Sequence, residues 1–263
     1  MQENDIILEL RNVDKGFNRG TVNETILFSG FGLSVERGEF ISVVGSNGSG
    51  KTTMLNIISG STSIDGGSVL LEGRDITKLP EHKKAAKIGR VFQNPAVGTV
   101  PGMTIFENLS IAANKGSSYG MAPALNRKNH KRFRELVAGL GLGLEDKMDI
   151  PVGLLSGGQR QALSLLMSTM TPIDILLLDE HTAALDPKTA EVIMTLTDRL
   201  VREMNLTTIM VTHNLRYAVE YGNRLLMMHN GHIVLDKAGE EKAGCSIDNL
   251  LTLFNEISIE CGN

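Results

Sequence analysis

The sequence predicts an α/β fold: a mixed, mainly parallel core sheet, an antiparallel β layer, and a helical subdomain inserted into the core. Three observations carry this expectation. A glycine-rich loop, Gly45-Ser46-Asn47-Gly48-Ser49-Gly50-Lys51-Thr52-Thr53, lies between an apolar β-branched run and an apolar helical stretch. A second apolar run, Ile175-Leu176-Leu177-Leu178, ends in the acidic pair Asp179-Glu180. The separation between Thr53 and Ile175 is too long for one strand–helix–strand step, so much of it must be an insertion.

Taken in order, residues 6–13, 26–35 and 68–72 read as strands of the antiparallel layer. Phe40-Ile41-Ser42-Val43-Val44 has the composition of a buried parallel strand. Thr52 to Ser59 reads as a helix with Met54, Leu55, Ile57 and Ile58 inward, stopped by Gly60. The insertion spans residues 94–170. Within it, Thr104 to Ala112 is one expected helix and Lys131 to Leu140 another, with Phe133, Leu136, Val137 and Leu140 on one side. Asn114 to Gly120 has the content of a loop, and Gln159 to Met170 forms a third helix.

Ile175 to Leu178 is expected to be a central strand buried on both faces. Asp186 and Pro187 suit the N-cap and first turn of a helix reaching Met204, with Ile193, Leu196, Leu200 and Met204 at helical period. Thr207 to Thr212 is the next strand. Asn230-Gly231 joins Leu225–His229 to His232–Asp236 as a two-residue hairpin. The tail, residues 237–263, carries a short amphipathic helix from Ile247 to Phe254. No internal repeat or low-complexity tract is present.

The loop fits G-x-x-x-x-G-K-[ST], with a strand before it and a helix after it. Glycines let backbone N–H groups approach phosphates, and a helix N-terminus adds partial positive charge. Lys51 is placed to reach the β- and γ-phosphates, and the Thr52 hydroxyl to ligate Mg²⁺. Asp179, at a strand end, is suited to hold Mg²⁺ through water. Successive strand residues point to opposite sides, so Glu180 is aimed differently, to orient and deprotonate an attacking water. His213, at the end of its strand, is suited to donate to the γ-phosphate. His82, His130, His229 and His232 have no partners at metal-ligand spacing and read as surface or packing residues.

Leu155-Ser156-Gly157-Gly158-Gln159, with Arg160-Gln161-Ala162-Leu163 behind it, resembles the signature motif of ATP-binding cassette (ABC) ATPases. Physically it is a second phosphate cradle at a helix N-terminus. The resemblance runs over residues 6–235 and implies one nucleotide-binding domain over 1–263, with ATP and Mg²⁺ as cofactors. It also implies a head-to-tail dimer with each ATP held between one chain's phosphate loop and its partner's signature. In that arrangement Glu180, His213 and Lys51 are catalytic. Phe17 stacks on adenine, although a Phe after a first strand equally suits the core. The residues from Gly45 to Thr53, with Ser156, Gly157, Gly158 and Gln159, hold phosphate, and Thr52, Gln93 and Asp179 serve the metal.

Gln93, in Val91-Phe92-Gln93-Asn94-Pro95, matches the family's lid glutamine, which leads into the transporter-contacting segment. Ala184-Leu185-Asp186 matches its D-loop. One departure stands out: His181 follows Glu180, where cassettes commonly carry proline. Some bacterial uptake cassettes resemble this; the alternative is that His181 perturbs Glu180 electrostatically.

Composition narrows the class further. A net charge of −4 and a pI near 5.9 give no footprint for nucleic acid. The basic cluster from Arg127 to Arg132 reads as a solvated helix face. Two cysteines, Cys245 and Cys261, lie far from every motif and suggest a reducing, cytosolic setting. No apolar run approaches ~18 residues, and the N-terminus is no signal peptide.

The resulting expectation is a peripheral ATPase at the cytoplasmic face of the cell membrane. Its partners are a second copy, integral membrane permease subunits and, indirectly, an extracytoplasmic substrate-binding protein. The layout resembles importers of amino acids, aromatic ones included. The alternative is a soluble ABC ATPase of an iron–sulfur assembly scaffold, and a third option is a nucleotide-gated module without turnover. Sustained heptads and a second set of motifs, which mark DNA-organising and translation-factor relatives, do not occur.

Overall fold

The computed structural model describes residues 5–116 and 126–260, with side chains through Glu256. Residues 117–120 of the expected loop, and Cys261, lie outside the described residues. The chain opens with strands β1 (Ile6–Phe17), β2 (Thr25–Glu36) and β3 (Phe40–Gly45), helix α1 (Lys51–Ser59), then β4 (Gly66–Leu71) and β5 (Arg74–Asp75). There follow α2 (Glu81–Lys84), β6 (Ile88–Val91), α3 (Ile105–Ala113), α4 (His130–Ala138), α5 (Gly157–Thr169), β7 (Ile175–Asp179) and α6 (Pro187–Glu203). The last elements are β8 (Thr207–Val211), α7 (Leu215–Glu220), β9 (Arg224–His229), β10 (His232–Ala238), α8 (Gly239–Ala243) and α9 (Ile247–Glu260). Contacts divide these into two units: residues up to Glu81 together with those from Leu206 onward, and residues His82–Asn205.

In the first unit, β1 pairs antiparallel with both β2 and β4, giving the order β2-β1-β4-β5. A second layer has β3 between β9 and β8, parallel to both, with β10 antiparallel on the outside of β9. Burial follows this placement. Every residue of β3 and β8 is buried, as strands covered on both faces require, whereas β10 never fully buries a residue. The hairpin at Asn230-Gly231 has φ of 43° and 77°, and a Cβ on Gly231 would run into the Leu27 carbonyl. Glycine is therefore demanded there by both conformation and packing. Helix α9 seats Leu250 against Val44, Ala218, Leu225 and Met227.

In the second unit, β6 and β7 run parallel, with Ile88 opposite Ile175 and Val91 opposite Leu178. Helices α3, α4 and α5 fall within residues 94–170. Capping boxes start two of them, Thr104 with Glu107 for α3 and Ser156 with Gln159 for α5. Asp186 caps α6 by accepting from the Thr189 N–H, and Pro187 follows.

Four expectations are corrected. Leu136 is 36% exposed, because the buried stripe of α4 runs through Phe133 and Val137, one helical turn apart, and Leu136 sits at its margin. Met204 is the C-cap of α6 and is exposed, since the helix stops before that position can turn inward. Strand β1 continues past residue 13 to Phe17, its pairing with β2 carried on through register shifts. Helix α9 extends past Phe254 to Glu260. Among the described residues no helix is long and apolar enough to cross a membrane.

Candidate functional site

In the first unit, β3 delivers the chain into the phosphate loop at Gly45. A Cβ on Gly45 would run into the Met228 carbonyl, and one on Gly50 (φ 104°) would lie 2.7 Å from the Phe28 ring. These two positions admit only glycine, and Gly48 (φ 78°) opens on empty space. Gly50 leads directly into α1, whose N-terminus has no side-chain cap hydrogen bond. Its partial positive charge is thus left for an anion. Lys51 is 5% exposed and curls over the loop, its Nζ donating to the Gly45 and Ser46 carbonyls, both at 2.8 Å. A buried ammonium and an uncapped helix end within a glycine cradle fit a polyphosphate. Ser49 is buried, Asn47 and Thr52 are exposed, and Ser46 and Thr53 are half-buried.

His213 belongs to the same unit. Asn214 beside it accepts from the N–H groups of Arg216 and Tyr217 and donates its own N–H to Thr212 Oγ1, which fixes the turn. Gly45, Ser46, Asn47, Thr212, His213 and Phe254 line one cavity of about 250 Å³. Phe17 ends β1 at 40% exposure, with Lys15 Nζ 5.1 Å from its ring centre. Asp65 braces that strand end, accepting from the Gly16 N–H at 2.7 Å and pairing with Arg19 at 3.1 Å. The Gly16 hydrogen bond, opposed by partial desolvation, holds the Asp65 carboxyl below its usual range.

In the second unit, the fully buried β7 ends at Asp179, whose Oδ2 meets Arg90 Nη2 of β6 at 2.8 Å. The Arg90 guanidinium lies 4.6 Å from the centre of the Phe92 ring. Glu180 is half-buried with a left-handed backbone, φ 48°. His181 turns inward at 2% exposure, and burial pushes its pKa from 6.5 to about 4, so it is neutral at physiological pH. Gln93 is exposed, one residue beyond Phe92, whose carbonyl accepts from Gln161 Nε2 at 3.2 Å. Ser156 accepts from the Gln159 N–H and donates its own N–H to Gln159 Oε1, both at 3.2 Å. A Cβ on Gly158 would run into Thr189 Cγ2, so the signature glycine is also a packing requirement.

The first unit therefore gathers the phosphate loop and His213 about one cavity. The second carries Gln93, the signature residues, Asp179 and Glu180. Sequence reasoning missed four contacts. His229, read as surface or packing, places Nδ1 3.3 Å from Ser46 Oγ. Arg90 and Gln161 engage Asp179 and Phe92; the available signals were a cation inside a short apolar strand and an amide on the buried face of α5. Phe254 reaches the loop cavity from a tail that carried no motif. Among the described residues no group of three or more His, Cys, Asp or Glu forms a metal site alone.

Strand, glycine cradle, buried lysine and acid-terminated strand define a phosphate-loop nucleotide-binding protein. A family model described as ABC transporter matches residues 28–183. A tyrosine transport ATP-binding protein of Clostridioides difficile is 46% identical over 248 residues, covering 94% of this chain and 98% of that one. A spermidine/putrescine import ATP-binding protein, PotA of Haemophilus influenzae, is 32% identical over 239 residues; the match covers 91% of this chain and 60% of that protein.

Among solved structures, an ABC transporter cassette in its ADP conformation superposes with TM-score 0.79 at 27% identity, covering 98% of this chain and 99% of that one. A dimeric cassette in a post-hydrolysis state, bound to ADP and Pi, gives TM-score 0.75 at 29% identity over 88% and 98%. The chain belongs to the ABC transporter family of ATP-binding proteins. It is an ATP-hydrolysing transport motor, and the assembly-scaffold alternative is not favoured.

Proposed function

We propose that this chain is the ATPase subunit of an importer for aromatic amino acids, with tyrosine as the leading cargo. The observation that carries this reading is the near end-to-end match to a tyrosine transport ATP-binding protein, in a chain retaining every motif of hydrolysis. The chain works as a head-to-tail pair at the cytoplasmic face of the membrane, beneath permease subunits fed by an extracytoplasmic substrate-binding protein. One nucleotide-binding domain spans 1–263, with a helical subdomain at 94–170 and a tail at 237–263.

In this mechanism Phe17 stacks on adenine while backbone N–H groups from Gly45 to Thr53 clasp the phosphates. Lys51 exchanges its two loop carbonyls for phosphate oxygens. Thr52, Gln93 and Asp179 would hold Mg²⁺ through their side-chain oxygens, hard donors that suit this ion. That ion would supply charge neutralisation to the triphosphate. Glu180 takes the proton of the attacking water, and His213 donates to the γ-phosphate. Ser156, Gly157, Gly158 and Gln159 of the second copy close the far side of the nucleotide. Hydrolysis breaks the bond between the β- and γ-phosphates, and departure of the inorganic phosphate removes the charge that both halves hold, so the pair opens.

The test is uptake of labelled tyrosine by cells carrying the wild-type chain or Lys51→Ala. Loss of uptake in the variant, and co-purification of the chain with multi-span membrane subunits, are expected. Unchanged uptake, or co-purification with soluble assembly proteins instead, would end this reading.

A further inference from the structure

His181 follows Glu180 directly, and its Nε2 lies 3.1 Å from Thr197 Oγ1 in the middle of α6. Both residues are buried, at 2% and 0% exposure. The direction of the bond is fixed by Thr197. Its single hydroxyl proton goes to the Ile193 carbonyl at 2.8 Å, so its oxygen accepts from His181. His181 therefore donates through Nε2. Meanwhile Glu180 holds a left-handed backbone, and the Ala183 N–H closes the following turn onto the Glu180 carbonyl at 2.9 Å. A non-glycine residue keeps that conformation only where its surroundings over-determine it.

We infer that His181 is a positioning residue. Its hydrogen bond to Thr197 pins the turn after β7 to α6 and holds the Glu180 carboxylate in the attitude that accepts a proton from water. The unusual residue at this position is thus a mechanical tie between the turn and α6. The inference rests on Glu180 being the base.

The test compares His181→Leu, His181→Gln, Thr197→Val and Thr197→Ser in the full chain assembled with its membrane subunits. Three quantities are read: kcat for ATP hydrolysis, the Kd of a fluorescent ATP analogue without Mg²⁺, and the thermal unfolding midpoint. His181→Leu and Thr197→Val should each lower kcat about tenfold or more while Kd moves less than about twofold. The double variant should be no slower than the worse single one, because both remove the same bond. His181→Gln, whose amide N–H reaches the place of Nε2, and Thr197→Ser should keep most of the rate.

The inference is overturned if Thr197→Val hydrolyses at the wild-type rate, if His181→Gln is as slow as His181→Leu, or if kcat and affinity fall together with the melting midpoint. Should His181→Leu fail to fold, Thr197→Val and His181→Gln decide alone. Glu180→Gln is measured alongside. If it keeps the wild-type rate, the base itself is misassigned. If it abolishes turnover while Thr197→Val does not slow it, only the positioning role falls.

Discussion

Arg90 and Asp179 form an ion pair at 2.8 Å between neighbouring parallel strands, with both side chains about nine-tenths buried. Asp179 is the carboxylate proposed to serve the metal, so a fixed cation is built in beside it. The same guanidinium lies over Phe92, next to Gln93. Arg90→Met leaves the Asp179 carboxylate short of that partner and should destabilise the fold by about 2–4 kcal/mol. Arg90→Lys keeps the charge but loses the planar stacking and should cost about 1 kcal/mol. Urea unfolding measures both; an Arg90→Met protein as stable as wild type would show that the pair contributes nothing net.

The phosphate loop separates two glycine roles. Gly45→Ala drives a methyl group into the Met228 carbonyl and should lose about 2 kcal/mol or more together with nucleotide binding. Gly48→Ala meets only open space and should cost about 1–2 kcal/mol for its left-handed backbone. Calorimetric titration with ATP ranks the two, and equal effects would contradict the packing argument.

Glu180→Gln removes the base while both phosphate cradles remain. It should bind ATP and accumulate as a dimer. Light scattering at saturating ATP checks this, and a monomer would count against the shared nucleotide.

His181 makes stability depend on pH. Burial lowers its pKa from 6.5 to about 4, so below 6.5 the unfolded chain takes a proton that the folded chain refuses. Its contribution is full above pH 6.5 and fades as pH falls towards 4, by about 3 kcal/mol at the lower end. Unfolding free energies across that window should slope less in His181→Gln; identical slopes would mean the imidazole is not held neutral.

Residues 94–104 expose Val97, Val100 and Met103. The segment's turn is held by Asn108, which bonds the backbone of Val100, Met103 and Thr104. Polar replacements at the three exposed positions should reduce transport without changing nucleotide affinity. Equal loss of both would misplace the permease contact.

Local patterns announced most elements. Val43 and Ile41 marked β3, Met54 and Ile58 marked α1, and Asn230-Gly231 marked a turn, because each rests on period, capping or backbone preference within a few residues. The same holds for the phosphate loop and the acid pair, whose chemistry is written in contiguous residues. Margins were less legible: Leu136 and Met204 fit the helical period, but a period does not say where the covering layer stops.

The sequence by itself determined the class of machine, because each of its motifs is a short stretch whose spacing carries the chemistry. Only the tertiary structure decided what holds those motifs in place. Arg90 finds Asp179, His181 finds Thr197, His229 finds Ser46 and Gln161 finds Phe92 across separations from 16 to 183 residues. Such pairings depend on strand register and helix packing, which no local pattern encodes.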